Sequence, residues 1–164
     1  MPDVAIITLA RTPHKIRRLT LRQLRDLGFG SPTTGAAVGH AHTHMADVVA
    51  AALSRENPMM TADRLFGMEI SGAELQAAHR SVLLHSGLQL KADESGAGTG
   101  GIDWGDLIGL LATGCGRLPA EVAEMTLPEA DEMLAYWRKQ PPAHILLAWA
   151  HGWKPKATVE PYAR

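Results

Sequence analysis

Three times along this chain a serine or threonine stands three residues ahead of a glutamate or glutamine and opens an apolar run: Thr20 before Gln23, Ser71 before Glu74 and Thr126 before Glu129. In such a pair the hydroxyl oxygen accepts an early helix N–H, and the longer side chain reaches back to the N–H of the first residue. Donors that a helix start leaves without partners are thereby satisfied. Each pair is followed by residues at helical spacing. Leu21, Leu24 and Leu27 follow the first, and Leu75, Ala78, His79, Val82 and Ser86 the second. Ala130, Met133, Leu134 and Trp137 follow the third.

Further helices are legible between these starts. Ala41–Leu53 repeats Met45, Val48, Val49 and Ala52 at helical spacing and is ended by Pro58. Thr61 caps a short turn of helix through Gly67, and Gly87 closes the helix that Ser71 opens. Asp103 can cap a helix bearing Trp104, Leu107, Ile108 and Leu111, with Gly114 and Gly116 around its end. Leu118–Met125 reads as a short helix with Pro119 at its start. Pro141 and Pro142 interrupt the helix begun at Thr126, and Pro142 can begin another with Ile145, Ala148, Trp149 and Gly152 on one face. Aromatics make up only 5% of the 164 residues, so Ala, Leu and Met must fill most of the core, which favours helices over sheets.

The exception is the N-terminus. Val4–Leu9 is rich in β-branched residues, Arg11 to His14 can turn, and Lys15–Leu19 can return as a second strand. A lone hairpin is marginal, so this one must lie on helices. The expected fold class is therefore mainly α: small helical domains with a short N-terminal β-hairpin.

Residues 95–101 hold too few large side chains to build a core and read as a flexible, glycine-rich linker. Gly96, Gly98 and Gly101 have the spacing of a dinucleotide fingerprint. That chemistry needs a buried strand ahead of it, and residues 91–95 are not one. The expected division is a hairpin-plus-helix domain over 1–92, a linker over 93–101, a small helical domain over 102–154, and a tail over 155–164.

The formal net charge of −1 hides an uneven distribution. Arg11, Lys15, Arg17, Arg18, Arg22 and Arg25 crowd the first thirty residues, while residues 93–132 carry nine acids against Arg117. The two segments can attract each other or matching partners. The basic end lacks interleaved aromatics, a weak basis for nucleic-acid binding. Cys115 is the single cysteine, so no intrachain disulfide can form. Val4–Leu9 is too short for a secretory leader, and Ile145–Ala150 is too short to span a bilayer.

One stretch carries metal-type chemistry. His40, His42 and His44 alternate, and imidazole is a common metal ligand. They share a face only in an extended chain. In a helix His40 and His44 align, with a carboxylate such as Asp47 to complete a site, and His42 points away. The competing reading is a polar helix start. No nucleophile arrangement stands out: Ser71, Ser81 and Ser86 lack a nucleophile elbow, and Cys115 has no spaced partner. No catalytic residue, metal or cofactor is therefore assigned.

The aromatics point to binding. Tyr136, Trp137, Trp149 and Trp153 flank the corner at Pro141 and Pro142. Trp137 and Trp149 are expected to pack the small domain. That leaves Tyr136, Pro141, Pro142 and Trp153 as the partner-binding candidates, since exposed tryptophan is enriched at binding hot spots.

Two segments bear a resemblance. Residues 20–27, Ala50 to Pro58 and Thr61 to Leu65 with the helix beyond resemble the N-terminal part of the tail assembly chaperones of long-tailed bacteriophages and prophages. Asp103 to Leu111, Glu129 to Trp137 and Pro141 to Leu147 resemble the small C-terminal domain of the same group, an extension that a programmed frameshift can add. His40–His44 is not part of that pattern. The resemblance implies a non-catalytic assembly factor in the host cytoplasm. It would bind the helical tape-measure protein, recruit tail-tube subunits, and have scope for self-association. The alternatives are a metal-dependent enzyme built on His40, His42 and His44, and a helical DNA-binding adaptor using Arg17, Arg18, Arg22 and Arg25.

Overall fold

A computed structural model of the chain describes residues 4–29, 41–88 and 102–152. The fold is mainly α with one antiparallel hairpin. In chain order its elements are β1 (Val4–Leu9), β2 (Thr12–Arg17), α1 (Leu21–Asp26), α2 (Ala41–Ser54), α3 (Ala62–Phe66), α4 (Gly72–His85), α5 (Trp104–Cys115), α6 (Pro119–Val122), α7 (Leu127–Lys139) and α8 (Ala143–Ala150).

The hairpin lies across the pair formed by α2 and α4, with β1 over α4 and β2 over α2. Alternation along β1 buries Ile7 and Leu9 and leaves Ile6 68% exposed; Ile16 supplies the buried residue of β2. The turn differs from the expectation. Leu9 pairs with Thr12, so only Ala10 and Arg11 make the turn, both at positive φ (46° and 64°). Tight hairpins prefer two left-handed residues because that twist matches the strands, and Gly or Asn usually supply them. Ala10 and Arg11 carry no such signal, and Pro13 drew the expected turn too far along the chain. The second strand therefore starts at Thr12 and ends at Arg17, short of the expected Leu19. Leu19 is buried outside the ladder, where its N–H donates to Ser86 Oγ at 3.0 Å.

The helix starts form as the sequence implied. Thr20 Oγ1 accepts from Gln23 N–H while Gln23 Oε1 accepts from Thr20 N–H. Ser71 and Glu74 make the same reciprocal pair, and Asp103 accepts from Asp106 N–H. At Thr126 both its N–H and its hydroxyl donate to Glu129 Oε2. These bonds to Ser71 pull the Glu74 carboxyl below its ordinary pKa, with Arg11 adding to the effect.

The start of α1 also draws on a distant segment. Leu21 N–H donates to Met125 O at 2.8 Å and Arg22 N–H to Ala123 O at 2.9 Å, beside a bridge between Thr20 and Thr126. With Gln23 N–H held by Thr20, the first three amides of α1 all have partners. Regular helix stops at Val122 and does not run on to Met125 as expected, because the N–H groups of Glu124 and Met125 bond only three residues back, to Glu121 and Val122. Gln23 Nε2 extends the tie to Ala51 O on α2.

The expected linker, 93–101, lies outside the described residues, as does the expected tail. On either side the buried residues form one continuous cluster, from Leu21, Leu24 and Val48 to Trp104, Leu111, Val122 and Ala130. Trp104 donates its indole N–H to Phe29 O. Gly87 ends α4 at φ 86°, and a side chain there would also press on Pro128 at the start of α7. Of the two charged segments, Arg22 and Glu124 meet at 3.1 Å. Both are exposed, so the pair contributes at most about 1 kcal/mol. The backbone bonds and the apolar cluster carry the junction.

Candidate binding surface

α7 and α8 meet at the Pro141–Pro142 corner. Gln140, at the end of α7, leaves the helical region (φ −136°, ψ 81°), as a residue before proline is biased to do. Its N–H still bonds Tyr136 O at 2.9 Å. Pro142 O then accepts from Ile145 and Leu146 and starts α8. Pro141 and Pro142 are half-buried. Tyr136 is 57% exposed, and its hydroxyl donates to Gln140 Oε1 at 2.6 Å, which fixes the ring beside the corner.

Trp137 turns away from the corner. Its half-buried ring lies against Gly114 near the end of α5, so close that a side chain at position 114 would overlap it. The expected packing of Trp137 on Trp149 cannot be placed, because the Trp149 side chain lies outside the described residues. Trp153 lies outside them as well.

Sequence reasoning missed the most exposed part of this surface. Ala143, Leu146, Leu147 and Ala150 share one face of α8, and all four are exposed, Leu147 by 60%. Ile145 faces the protein and is half-buried. The sequence put Ile145 on the covered face of α8, as found, but only His144 among the helix's eight residues is polar, so the pattern did not mark Leu146 and Leu147 as exposed. Tyr136 on α7 and this stripe on α8 are exposed apolar groups on the two sides of the Pro141–Pro142 corner. Exposed apolar groups of this kind mark a surface that a partner's apolar face can cover.

The histidines divide. His40 lies outside the described residues. His42 is exposed, over Gly72. His44 is half-buried, its ring 5.5 Å from Phe29 and 6.4 Å from His79. Burial holds the His79 imidazole below its ordinary pKa, and the neighbouring His44 adds to this. Among the described residues no three His, Cys, Asp or Glu side chains gather to hold a metal ion. Cys115 lies 3.8 Å from Met133 sulfur, and burial raises its pKa, as for a packing residue rather than a nucleophile.

The arginines divide too. Arg17 pairs with Glu56, Arg22 with Glu124 and Arg25 with Asp26, while Arg18 is half-buried. Beside the hairpin turn an open polar hollow is lined by Ala10, Arg11, Glu69 and Glu74. No helix among the described residues is long and apolar enough to cross a membrane. Compared with known proteins, the chain matches no family model, no curated protein and no solved structure.

Proposed function

We propose that this protein is a non-catalytic adaptor of phage tail assembly, a chaperone that holds the helical tape-measure protein and recruits tail-tube subunits in the host cytoplasm. The observation that carries the reading is the exposed apolar stripe of α8, with Leu146 and Leu147, and the exposed Tyr136 across the Pro141–Pro142 corner. An amphipathic helix recognises such a strip by laying its apolar face along it. Trp153 follows α8 in the sequence and belongs to the same proposed surface. The resemblance of residues 20–27, 50–58, 61–65, 103–111, 129–137 and 141–147 to tail assembly chaperones is a second support for the reading.

The other two readings draw less support. Of the histidines in the metal reading, His42 faces solvent and His44 packs beside Phe29 and His79, which does not favour a metal enzyme. Three of the four arginines of the DNA reading already face a carboxylate. The test is co-expression with tape-measure fragments and tube protein encoded beside this chain. Both are expected to co-purify, and Leu146→Glu with Leu147→Glu is expected to release the helical client while the helix content holds. Failure of both to co-purify with the wild-type protein would remove the proposal.

A further inference from the structure

The two edges of the hairpin are not alike. Pro13 has no N–H to give, so its pair with Thr8 is a non-bonded one. By alternation Ile6–Lys15 and Val4–Arg17 are non-bonded too, and the main-chain groups of Val4, Ile6 and Thr8 point away from β2. No hydrogen bond among the described residues reaches them. The outer edge of β2 instead presents Pro13, Lys15 and Arg17, the residues with which proteins blunt an edge. β1 has no charge and no proline, and it carries an isoleucine 68% exposed at its centre.

We propose that the open edge of β1 pairs with β1 of a second copy, joining two hairpins into one four-stranded antiparallel sheet about a two-fold axis at Ile6. The register follows from the free groups. Centring on Ile6 sets Ile6 opposite its own copy and Val4 opposite Thr8, so every outward N–H and C=O of these three residues finds a partner. A shift of two residues either way leaves some of them unpaired. Opposed residues in this register point to the same face, as a sheet requires. The exposed Ile6 side chains then cover each other. The strand is uncharged, so pairing it with itself brings no like charges together. The contact is short beside ordinary stable interfaces, so the dimer is a concentration-dependent one. It holds whatever client the protein carries.

The test is light scattering and sedimentation of the full chain over a wide concentration range. The mass is expected to rise with concentration from 17.6 kDa to twice that value. Thr8→Pro removes an outward N–H at a pair that already contains a proline. Ile6→Lys sets two cations on the axis. Each is expected to raise the dissociation constant by at least about tenfold with helix content unchanged, and Leu147→Glu to leave it alone. In a mixed-label sample of wild type, an intermolecular contact between the α-protons of Ala5 and Ile7 is expected. A monomer at every concentration, a dimer indifferent to both β1 variants, one broken by Leu147→Glu alone, or a dimer without the Ala5–Ile7 contact would each overturn the proposal.

Discussion

The indole ring of Trp137 on α7 fills the space that a side chain at Gly114 on α5 would occupy. Two helices that begin more than twenty residues apart are thus fitted by one missing methyl group. Gly114→Ala is expected to displace the ring and destabilise the protein by about 1–3 kcal/mol, the usual cost of overpacking. Urea unfolding followed by tryptophan fluorescence measures this, and the folded-state emission should shift red as the ring gains water.

The hairpin turn offers a change in the other direction. Ala10 and Arg11 both sit in the left-handed region, which disfavours residues bearing a Cβ by roughly 1–2 kcal/mol each. Replacing them with Asn and Gly, respectively, should raise stability by about 1 kcal/mol. Thermal unfolding is the readout; no gain would mean that the surroundings compensate the turn already.

His79 sets a pH dependence whose sign is fixed by its environment. Its Nε2 is buried without a hydrogen-bond partner, and its pKa lies below the ordinary 6.5. As pH falls through 6.5 the unfolded chain takes up a proton that the folded chain resists. Stability from this group is therefore full above 6.5 and declines as pH drops toward the lowered folded value. His79→Gln should flatten that part of the profile. Urea midpoints at neutral and mildly acidic pH, compared between the two proteins, check it.

Ser86 is fully buried and accepts the Leu19 N–H. Ser86→Ala leaves that donor without a partner away from water, a loss of about 1–3 kcal/mol. Ser86→Thr keeps the oxygen but adds a methyl where no space is exposed, so it should fall between wild type and alanine. Denaturant titration of the three proteins orders them.

Local chemistry was legible in the sequence, and long-range fit was not. Thr20, Ser71, Asp103 and Thr126 announce their helices because a cap acts within three residues. Leu21, Leu24, Trp104 and Leu111 announce apolar faces, yet nothing in their spacing says that α1 and α5 bury against each other. The bonds from Leu21 and Arg22 to Met125 and Ala123 involve main-chain atoms that every residue has, so no pattern could mark them. Ala10 and Arg11 adopt a conformation that their side chains disfavour, so neither residue type signals the turn. On α8 only His144 is polar, and only the surrounding structure leaves Leu146 and Leu147 in water.

The borrowed carbonyls at the start of α1 make the N-terminal half a reporter on the C-terminal one. The amides of Leu21 and Arg22 are held by Met125 and Ala123 and exchange with solvent when those bonds open. If the C-terminal helices swing out when a client docks, these two hydrogens will lose protection in step, although they lie at the opposite end of the sequence from the surface that moved.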